Sequence, residues 1–280
     1  MSVIKKQATK LSLNSSVKSD NLRIACLQFA PIWNEPIKSR QLIESIIQQN
    51  SLSKDSCDLL VLPEMFASGF SLNEIESEPY KGDSYQWMAR LAQELDAAVV
   101  GSVKTKTDNG IFNRLYWVTP EHDNLVSYYD KVHLFGAERK VIKPGNYRVT
   151  IDFRGFTFLV QTCYDLRFPV FCRNQDDYDV LLNVASWPKP RIHHWNALLK
   201  ARAIENLSYV IGVNRVGEDG NDWLYVGESQ VLDPVGETLA HAKLGATELI
   251  TAELSLQHLK QSRSLFTFLE DRDCFDLHLK

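Results

Sequence analysis

Short apolar runs rich in β-branched and aromatic residues alternate along the chain with longer segments whose apolar positions recur at helical spacing. The runs predict buried strands at residues 22–29, 58–62, 97–103, 156–161, 179–184 and 209–214. The longer segments predict amphipathic helices at residues 35–49, 85–95 and 194–207. Strands that interleave with helices in this way predict an α/β fold built on a mixed sheet.

Turn residues divide three further regions into pairs of adjacent strands. The predicted hairpins are 112–118 with 125–129, 147–153 with 156–161, and 223–232 with 237–242. A strand at 248–254 and a closing helix that starts at Ser255 complete the pattern. Because no repeat, linker or break in composition interrupts it, we expect one domain over residues 22–265.

The two ends of the chain differ from this pattern. Residues 1–21 are rich in serine and lysine and contain no long apolar run, which predicts a disordered tail rather than a signal peptide. Residues 266–280 predict a C-terminal tail whose aromatic side chains can dock on a partner subunit.

Composition narrows the classes of function. The chain has 280 residues, of which 44% are hydrophobic and 24% charged, and a formal net charge of −4, so it offers no electrostatic basis for binding nucleic acid or an anionic membrane. No segment is apolar enough to span a membrane. Five cysteines, an odd number without a CxxC spacing, indicate a reducing compartment, and we expect a cytoplasmic protein.

Cys163 directly follows the apolar run at 156–161 and precedes a polar segment that can open a helix. On such a strand-to-helix elbow, nearby backbone N–H groups favour the thiolate, which is the reactive form of cysteine. The alternative is a small buried hydrophobe, the usual role of an isolated cysteine beside a strand.

Two other reactive side chains also lie just beyond predicted strands. Glu64 follows the strand at 58–62, where a carboxylate is either a helix or loop cap or a site residue. Lys131 follows the strand at 125–129 and, taken alone, is typical of a solvated lysine. Because ligand sites in α/β folds gather outside the carboxyl ends of strands, Glu64, Lys131 and Cys163 are candidates for one site.

A carboxylate, an ammonium group and a thiol together form a coherent set of groups for acyl transfer. The ammonium lowers the pKa of the thiol and can stabilise an oxyanion. The carboxylate can accept the thiol proton, protonate a leaving amine and then activate water.

Four motifs make the chain resemble the nitrilase superfamily, the carbon–nitrogen hydrolases. They are Leu-Pro-Glu64-Met-Phe, Tyr-Asp-Lys131-Val-His-Leu-Phe, Cys163-Tyr-Asp-Leu-Arg-Phe-Pro and Ala201-Arg-Ala-Ile-Glu-Asn206. The resemblance extends from Leu22 to about Leu265. It implies a four-layer α-β-β-α sandwich, with Glu64 as general base, Lys131 as the cation for the oxyanion and Cys163 as nucleophile. It also implies a second glutamate between the lysine and the cysteine, which we assign to Glu138.

The segments Phe66-Ala-Ser-Gly-Phe70 and Ala-Ser-Trp187-Pro resemble the omega-amidase branch of this superfamily. That branch hydrolyses the terminal amides of 2-oxoglutaramate and 2-oxosuccinamate, needs no cofactor and pairs into homodimers. The alternatives are another amidase, a nitrilase or a carbamoyl hydrolase with the same three groups, or a non-catalytic binding protein on the same fold.

The remaining candidate residues are assigned supporting or structural roles. We expect the Tyr164 backbone N–H to assist Lys131 at the oxyanion, while Trp187 either lines the pocket or packs in the core. Arg167 is predicted to brace the elbow by pairing with a local carboxylate, with substrate binding as the alternative. Arg202 and Glu205 are predicted to be structural. His193 and His194 have no third and fourth ligand at a usable spacing, so no metal site is predicted.

Overall fold

The computed structural model describes the backbone of residues 9–12 and the residues 20–73, 77–121 and 127–279. We number its strands and helices in chain order. The first sheet contains β2 (Asn21–Gln28), β3 (Leu59–Val61), β4 (Glu78–Pro79), β5 (Ala98–Thr107), β6 (Gly110–Val118), β7 (Ser127–Asp130) and β16 (Glu248–Ser255). The second contains β1 (Thr9–Ser12), β8 (Val149–Phe153), β9 (Phe156–Thr162), β10 (Val180–Ala185), β11 (Tyr209–Asn214), β14 (Gln230–Leu232) and β15 (Thr238–His241). A separate ribbon consists of β12 (Val216–Glu218) and β13 (Leu224–Val226). The α-helices are α1 (Pro36–Gln49), α2 (Asp83–Leu95), α3 (Pro169–Cys172), α4 (Ile192–Asn206) and α5 (Leu256–Leu265).

Both sheets are mixed. The first has the order β16-β2-β3-β5-β6-β7, with β4 beside β5; its central strands β2, β3 and β5 are parallel, and β5, β6 and β7 form antiparallel pairs. The second has the order β1-β8-β9-β10-β11-β14-β15, in which β9, β10 and β11 are parallel. Parallel neighbours end at a common edge of the sheet, which brings the residues that follow β9, β10 and β11 together.

Alternating side chains on each strand divide the interior into three apolar layers. In β2, Ile24 and Cys26 face the second sheet, whereas Ala25 and Leu27 face helices α1 and α2. In β10, Val180 and Leu182 face the first sheet, whereas Leu181 packs with Trp195 of α4. The layers therefore run helix, sheet, sheet, helix, and the predicted α/β fold with a four-layer α-β-β-α sandwich is confirmed.

The predicted elements agree with the structure except in one hairpin. Residues 223–232 were expected to form a single strand, but β13 pairs with β12 whereas β14 pairs with β15. The break includes Gly227, whose φ of +76° belongs to the left-handed region, and a Cβ there would lie 2.0 Å from Gln28 Oε1. The prediction of one strand was wrong because the pattern of apolar residues does not show this reversal.

The expectation of a disordered tail over residues 1–21 is corrected in part. The backbone of Thr9–Ser12 forms β1, which pairs in parallel with Val149 to Asp152 of β8. Residues 1–8 and 13–19 lie outside the described residues. A strand on an existing sheet edge gains main-chain hydrogen bonds, a contribution that local composition does not indicate.

The C-terminal segment lies on its own chain. Leu277 and Leu279 pack against the apolar layer between the two sheets, together with Phe168. The expected docking of the aromatic side chains of residues 266–280 on a partner subunit stays a prediction, because these contacts involve only the two leucines. Of the helices in the described ranges, none is both long and apolar enough to cross a membrane.

Candidate active site

Glu64 lies three residues beyond the end of β3 and is fully buried. Its Oε1 accepts hydrogen bonds from Asn113 Nδ2 at 2.7 Å and Lys131 Nζ at 2.9 Å, and its Oε2 accepts one from Ser186 N at 2.7 Å. Asn113 belongs to β6, whereas Lys131 and Ser186 directly follow β7 and β10. Glu64 is therefore not a local cap, because its carboxylate gathers groups from both sheets.

Lys131 follows β7 directly and is also fully buried. Its ammonium lies between two carboxylates, 2.9 Å from Glu64 Oε1 and 2.8 Å from Glu138 Oε2. Burial alone lowers the pKa of Lys131, but the charges of Glu138 and Glu64 outweigh it and raise the pKa well above its ordinary value. The lysine is a fixed cation inside the protein and not a solvated surface residue.

Glu138 reaches the cluster from the loop between β7 and β8, where residues Gly136–Lys140 form a 3-10 turn. Its Oε2 also accepts the backbone N–H of Phe135 at 2.8 Å, and its Oε1 accepts Asn113 Nδ2 at 3.3 Å. Burial raises the pKa of Glu138, and the neighbouring Glu64 raises it further, while Lys131 opposes both effects. The lysine thus holds two carboxylates that would otherwise repel each other.

A glycine fixes the loop that carries Glu138. The Gly145 N–H donates to the carbonyl of Lys131 at 2.8 Å, and a Cβ on Gly145 would lie 2.0 Å from the carbonyl oxygen of Asp130. Only glycine allows this close approach of two backbones. The end of the loop is thereby pressed against the end of β7, which presents Lys131.

Cys163 begins a 3-10 turn, Cys163–Arg167, at the end of β9, so the predicted elbow is present. Its φ of +48° lies in the left-handed region, which is uncommon for a residue with a side chain. Its N–H donates to Asn183 Oδ1 of β10 at 3.0 Å, and Asn183 Nδ2 donates back to the Cys163 carbonyl at 3.4 Å. This pair of contacts helps to hold a conformation that is strained on its own.

The environment of the sulfur differs from the expectation. Burial raises the pKa of the Cys163 thiol well above its ordinary value, and the charges of Glu64 and Glu138 raise it further, while Lys131 opposes them. Lys131 does lower the pKa of the thiol, as expected, but burial and then the two carboxylates outweigh its effect. A raised pKa favours the protonated thiol, so attack by the sulfur requires transfer of this proton to a neighbouring group.

A cavity of about 350 Å³ adjoins this cluster. Lys131, Glu138 and Cys163 line it together with Tyr164 and Trp187. Trp187 both packs in the core and lines the cavity, which answers the question left open by the sequence. Its indole N–H donates to the carbonyl of Arg191 at 2.8 Å.

Tyr164 is the residue after the cysteine. Its ring contacts the rings of Phe135 and Phe168 edge-to-face, at 5.3 Å and 5.2 Å between centroids. Its backbone lies in the first turn of the 3-10 helix, where an N–H group has no intrahelical acceptor. The position agrees with that of a donor next to Cys163.

Two arginines near the elbow have different roles from each other. Arg202 donates to the carbonyl of Leu166 at 2.7 Å and to Glu205 at 2.8 Å, so its predicted structural role is confirmed. Arg167 has no carboxylate partner among the described residues; it contacts His194 Nδ1 at 3.0 Å and lies over the Trp187 ring. The prediction that Arg167 pairs with a local carboxylate was wrong.

Sequence reasoning did not identify Asn113, Asn183 and Ser186. Asn183 is the single polar residue of β10, Asn113 lies beside Arg114 in β6, and both asparagines are fully buried. Because a buried amide needs partners, such a residue is a signal that a strand adjoins a polar site. In the described ranges, no three side chains of the types that bind metals come together.

Comparison with known proteins places this geometry in a family. The Carbon-nitrogen hydrolase family matches residues 23–264. A protein named omega-amidase YafV from Escherichia coli is 47% identical over 222 residues, which cover 79% of this chain and 86% of that protein. A protein named 2-oxoglutaramate amidase from Bacillus subtilis is 31% identical over 256 residues, covering 89% of this chain and 96% of that protein.

Solved structures agree with the sequence relatives. XC1258 from Xanthomonas campestris, described as a CN-hydrolase superfamily protein with an arsenic adduct in its active site, has a TM-score of 0.87 and 38% identity; the match covers 92% of this chain and 99% of that one. Family, relatives and structure thus agree over nearly the whole of the two packed sheets. This chain belongs to the carbon–nitrogen hydrolase family, on its omega-amidase-like branch.

Proposed function

We propose that the protein is an omega-amidase, which hydrolyses the terminal amide of 2-oxoglutaramate or 2-oxosuccinamate to the 2-oxo acid and ammonia. The observation that carries the proposal is the buried cluster in which Lys131 contacts both Glu64 and Glu138, with Cys163 beside it at the cavity. The omega-amidase and 2-oxoglutaramate amidase among its relatives support the choice of substrate.

In the proposed mechanism, the sulfur of Cys163 attacks the amide carbonyl as the thiol proton passes to Glu64. The raised pKa of Cys163 supports this coupling, because burial and two neighbouring carboxylates disfavour a free thiolate. The carbonyl oxygen becomes an oxyanion that Lys131 and the Tyr164 N–H stabilise. Loss of one such donor typically lowers the rate by about 100- to 1000-fold.

Collapse of the oxyanion breaks the carbon–nitrogen bond and leaves a thioester on Cys163. Glu64 returns its proton to the departing nitrogen, which leaves as ammonia. Glu64 then takes a proton from water, the resulting hydroxide attacks the thioester, and the sulfur regains a proton as the acid is released. Glu138 acts by holding Lys131, to which it lies at 2.8 Å.

The test is ammonia release by matched cysteine variants. Cys163→Ala is expected to abolish release from 2-oxoglutaramate with an unchanged circular dichroism spectrum, because it removes the nucleophile. Cys274→Ala is the control, since Cys274 is an exposed free cysteine outside the cavity. Activity retained by Cys163→Ala would overturn the mechanism, whereas absence of ammonia release by the wild-type protein would favour the non-catalytic alternative.

The same assay separates the sister activities. Ammonia release by the wild-type protein is measured with omega-amides, nitriles and carbamoyl amino acids at equal concentration. The highest kcat/KM is expected with the omega-amides. A higher kcat/KM with a nitrile or a carbamoyl compound would leave the roles of Glu64, Lys131 and Cys163 unchanged but would show that the omega-amide is not the preferred substrate.

The proposal extends to the assembly and the compartment. All five cysteines are free, four of them buried, which supports a reducing compartment, and we propose the cytoplasm. The family resemblance supports a homodimer. One chain has a mass of 32.0 kDa. Sedimentation analysis at micromolar concentration is expected to give twice this mass, and the mass of a single chain would refute the proposed homodimer.

A further inference from the structure

The ribbon of β12 and β13 contributes a polar pair to the wall of the cavity. Tyr225 of β13 pairs with Gly217 of β12, and its side chain lines the cavity together with Asp219, the residue that follows β12. Both side chains are buried. The Tyr225 hydroxyl donates a hydrogen bond to Asp219 Oδ2 at 2.8 Å. The proposed mechanism uses neither residue, although both line the cavity that contains Cys163.

The contact with Asp219 decides which hydrogen bond the Tyr225 hydroxyl can still make. Asp219 is itself fixed, because its Oδ1 accepts the backbone N–H groups of Asn221 at 2.8 Å and Trp223 at 3.1 Å. A tyrosine hydroxyl has one proton, and here that proton is donated to the carboxylate. Toward any group in the cavity, the oxygen of Tyr225 can therefore only act as an acceptor.

The electrostatic environment keeps this hydroxyl protonated. Burial raises the pKa of Tyr225, and the hydrogen bond and charge of Asp219 raise it further, as does the charge of Glu64. The effect of Glu64 also shows that Tyr225 lies within electrostatic reach of the group that moves the proton in the proposed mechanism. Tyr225 is thus a neutral acceptor near the catalytic carboxylate.

A buried cation packs against the ring of Tyr225. Arg215 directly follows β11, is fully buried, and its guanidinium lies 4.5 Å from the centroid of this ring. Its Nη2 donates to the carbonyl of Glu218 at 3.1 Å, whereas its Nη1 has no hydrogen-bond partner among the described residues. Burial lowers the pKa of Arg215, while Tyr225 and Asp219 oppose this effect. Because a buried charge is costly unless its neighbours compensate for it, these three side chains form one electrostatic unit.

Arg215 also reaches the loop that follows Glu64. A Cβ on Gly69 would lie 3.3 Å from Arg215 Nη1, so the guanidinium is packed against the backbone of this loop. The next residue, Phe70, lines the cavity. The placement of Tyr225 relative to this loop is therefore set by packed contacts.

A primary amide presents two kinds of polar group to the site. Its carbonyl oxygen is an acceptor, for which Lys131 and the Tyr164 N–H are the proposed donors. Its nitrogen carries two N–H groups, which need acceptors. The Oε2 of Glu138, at the wall of the cavity, already accepts from Lys131 and from the backbone of Phe135. The oxygen of Tyr225 accepts from no other group among the described residues, so it is available.

We infer that the Tyr225 hydroxyl accepts a hydrogen bond from the nitrogen of the scissile amide, with Asp219 and Arg215 as positioning residues that act through Tyr225. The inference rests on the proposed function and adds how the leaving group is recognised. As Glu64 protonates the nitrogen, its N–H groups become stronger donors, so the contact strengthens toward the transition state for cleavage. Tyr225 thus favours an amide over an ester of the same acid.

The test compares two leaving groups on the same acyl group. For 2-oxoglutaramate and the compound in which a methyl ester replaces its amide, kcat/KM is measured with wild type and Tyr225→Phe. Both substrates give the same thioester on Cys163, so a difference between them arises before that intermediate. Tyr225→Phe is expected to lower the ratio of kcat/KM, amide over ester, by about 10- to 100-fold.

Further variants test the positioning residues and supply a control. Arg215→Met is expected to lower the same ratio, and Arg215→Lys to recover part of it, because a charge remains beside the ring. Tyr209→Phe is the control, since it removes a buried hydroxyl that donates to the carbonyl of Ser255 at 3.0 Å, outside the cavity. It should keep the wild-type ratio.

A second readout does not depend on turnover. In the Cys163→Ala background, calorimetry is expected to show that Tyr225→Phe weakens binding of the amide and leaves binding of the ester unchanged. If the wild-type protein binds the ester without cleaving it, this comparison of affinities decides in the same way.

The outcomes separate the two proposals. An unchanged ratio in Tyr225→Phe, or an equal fall for both substrates, would overturn the role of Tyr225 while leaving amide hydrolysis intact. Absence of ammonia release from every amide by the wild-type protein would instead overturn the proposed function.

Discussion

The carboxylate of Asp165 accepts a hydrogen bond from the Tyr129 hydroxyl at 2.6 Å, and this contact joins the two segments that present Lys131 and Cys163. Asp165 also accepts the backbone N–H groups of His133 at 2.9 Å and Thr162 at 3.0 Å. It is fully buried and lies in the turn that starts at Cys163. One carboxylate therefore fixes the spacing between the ends of β7 and β9.

Replacement of this carboxylate tests its positioning role. In Asp165→Asn, one oxygen acceptor becomes an NH₂ group that faces existing donors. We expect the free energy of unfolding to fall by about 2–3 kcal/mol. We expect kcat to fall by about 10- to 100-fold, since small displacements of reacting groups are costly. Asp179→Asn is the control: it loses contacts to Thr157 and Arg263 away from the cavity and should lose stability but keep kcat. Wild-type kcat in Asp165→Asn would contradict the role.

The state of the Cys163 thiol is tested by its rate of alkylation as a function of pH. Because burial and two carboxylates raise the pKa of this thiol, the thiolate is scarce at pH 7 and increases with pH beyond the ordinary range of cysteine. The rate of reaction with iodoacetamide is therefore expected to keep rising through pH 9. The measurement uses the Cys274→Ala background, which removes the exposed thiol. A plateau below pH 8 would show that a thiolate exists at rest.

Glu138→Gln is expected to have opposite effects on alkylation and on turnover. Removal of one negative charge lowers the pKa of Cys163, so the alkylation profile should move to lower pH. Lys131 loses a charged partner at 2.8 Å, so kcat for the amide should fall by about 10- to 100-fold. Glu78→Gln, which alters a partly buried carboxylate bound to Ser84, should change neither quantity. If the alkylation profile and the kcat of Glu138→Gln both match those of the wild type, Glu138 affects neither the thiol nor Lys131.

Gly145→Ala tests how the loop carrying Glu138 is held. The added Cβ would approach the Asp130 carbonyl oxygen to 2.0 Å, so the loop must move away from β7. We expect a loss of stability of about 1–3 kcal/mol together with a lower kcat. Gly245→Ala is the control, because Gly245 has a φ of +71° but no atom within 4 Å of a Cβ. It should lose stability through its backbone alone and retain kcat.

Much of the fold was predictable because its strands are buried on both faces. Such strands are continuous apolar runs, and Glu64 and Cys163 are recognisable as reactive residues that follow two of them. Lys131 instead follows β7, a partly exposed strand of a predicted hairpin. The strand at residues 9–12 was not predictable, since its partner, β8, lies far away in the sequence. The reversal at Gly227 depends on contact with Gln28 of β2, which is equally non-local.

The electrostatics of the site was the least predictable part. From the sequence, Lys131 near Cys163 suggested a lowered thiol pKa. The pKa is raised because the thiol is buried and because Glu64 and Glu138, both within hydrogen-bond distance of the same ammonium, oppose the effect of Lys131. The sequence also did not show that Arg167 lacks a carboxylate partner among the described residues. Only the structure shows which carboxylates already bind other groups.

The pairing of two carboxylates with one ammonium also affects the end of the reaction. When the thiol is protonated and both carboxylates are ionised, Glu64, Glu138 and Lys131 carry one excess negative charge beside the cavity. An amide enters this region uncharged, but hydrolysis converts it into an anion at the same place. At a separation of 4 Å, like charges repel by about 1–4 kcal/mol, depending on the local dielectric constant. The arrangement that keeps the thiol protonated thus also expels the newly formed acid and returns the enzyme to its resting state.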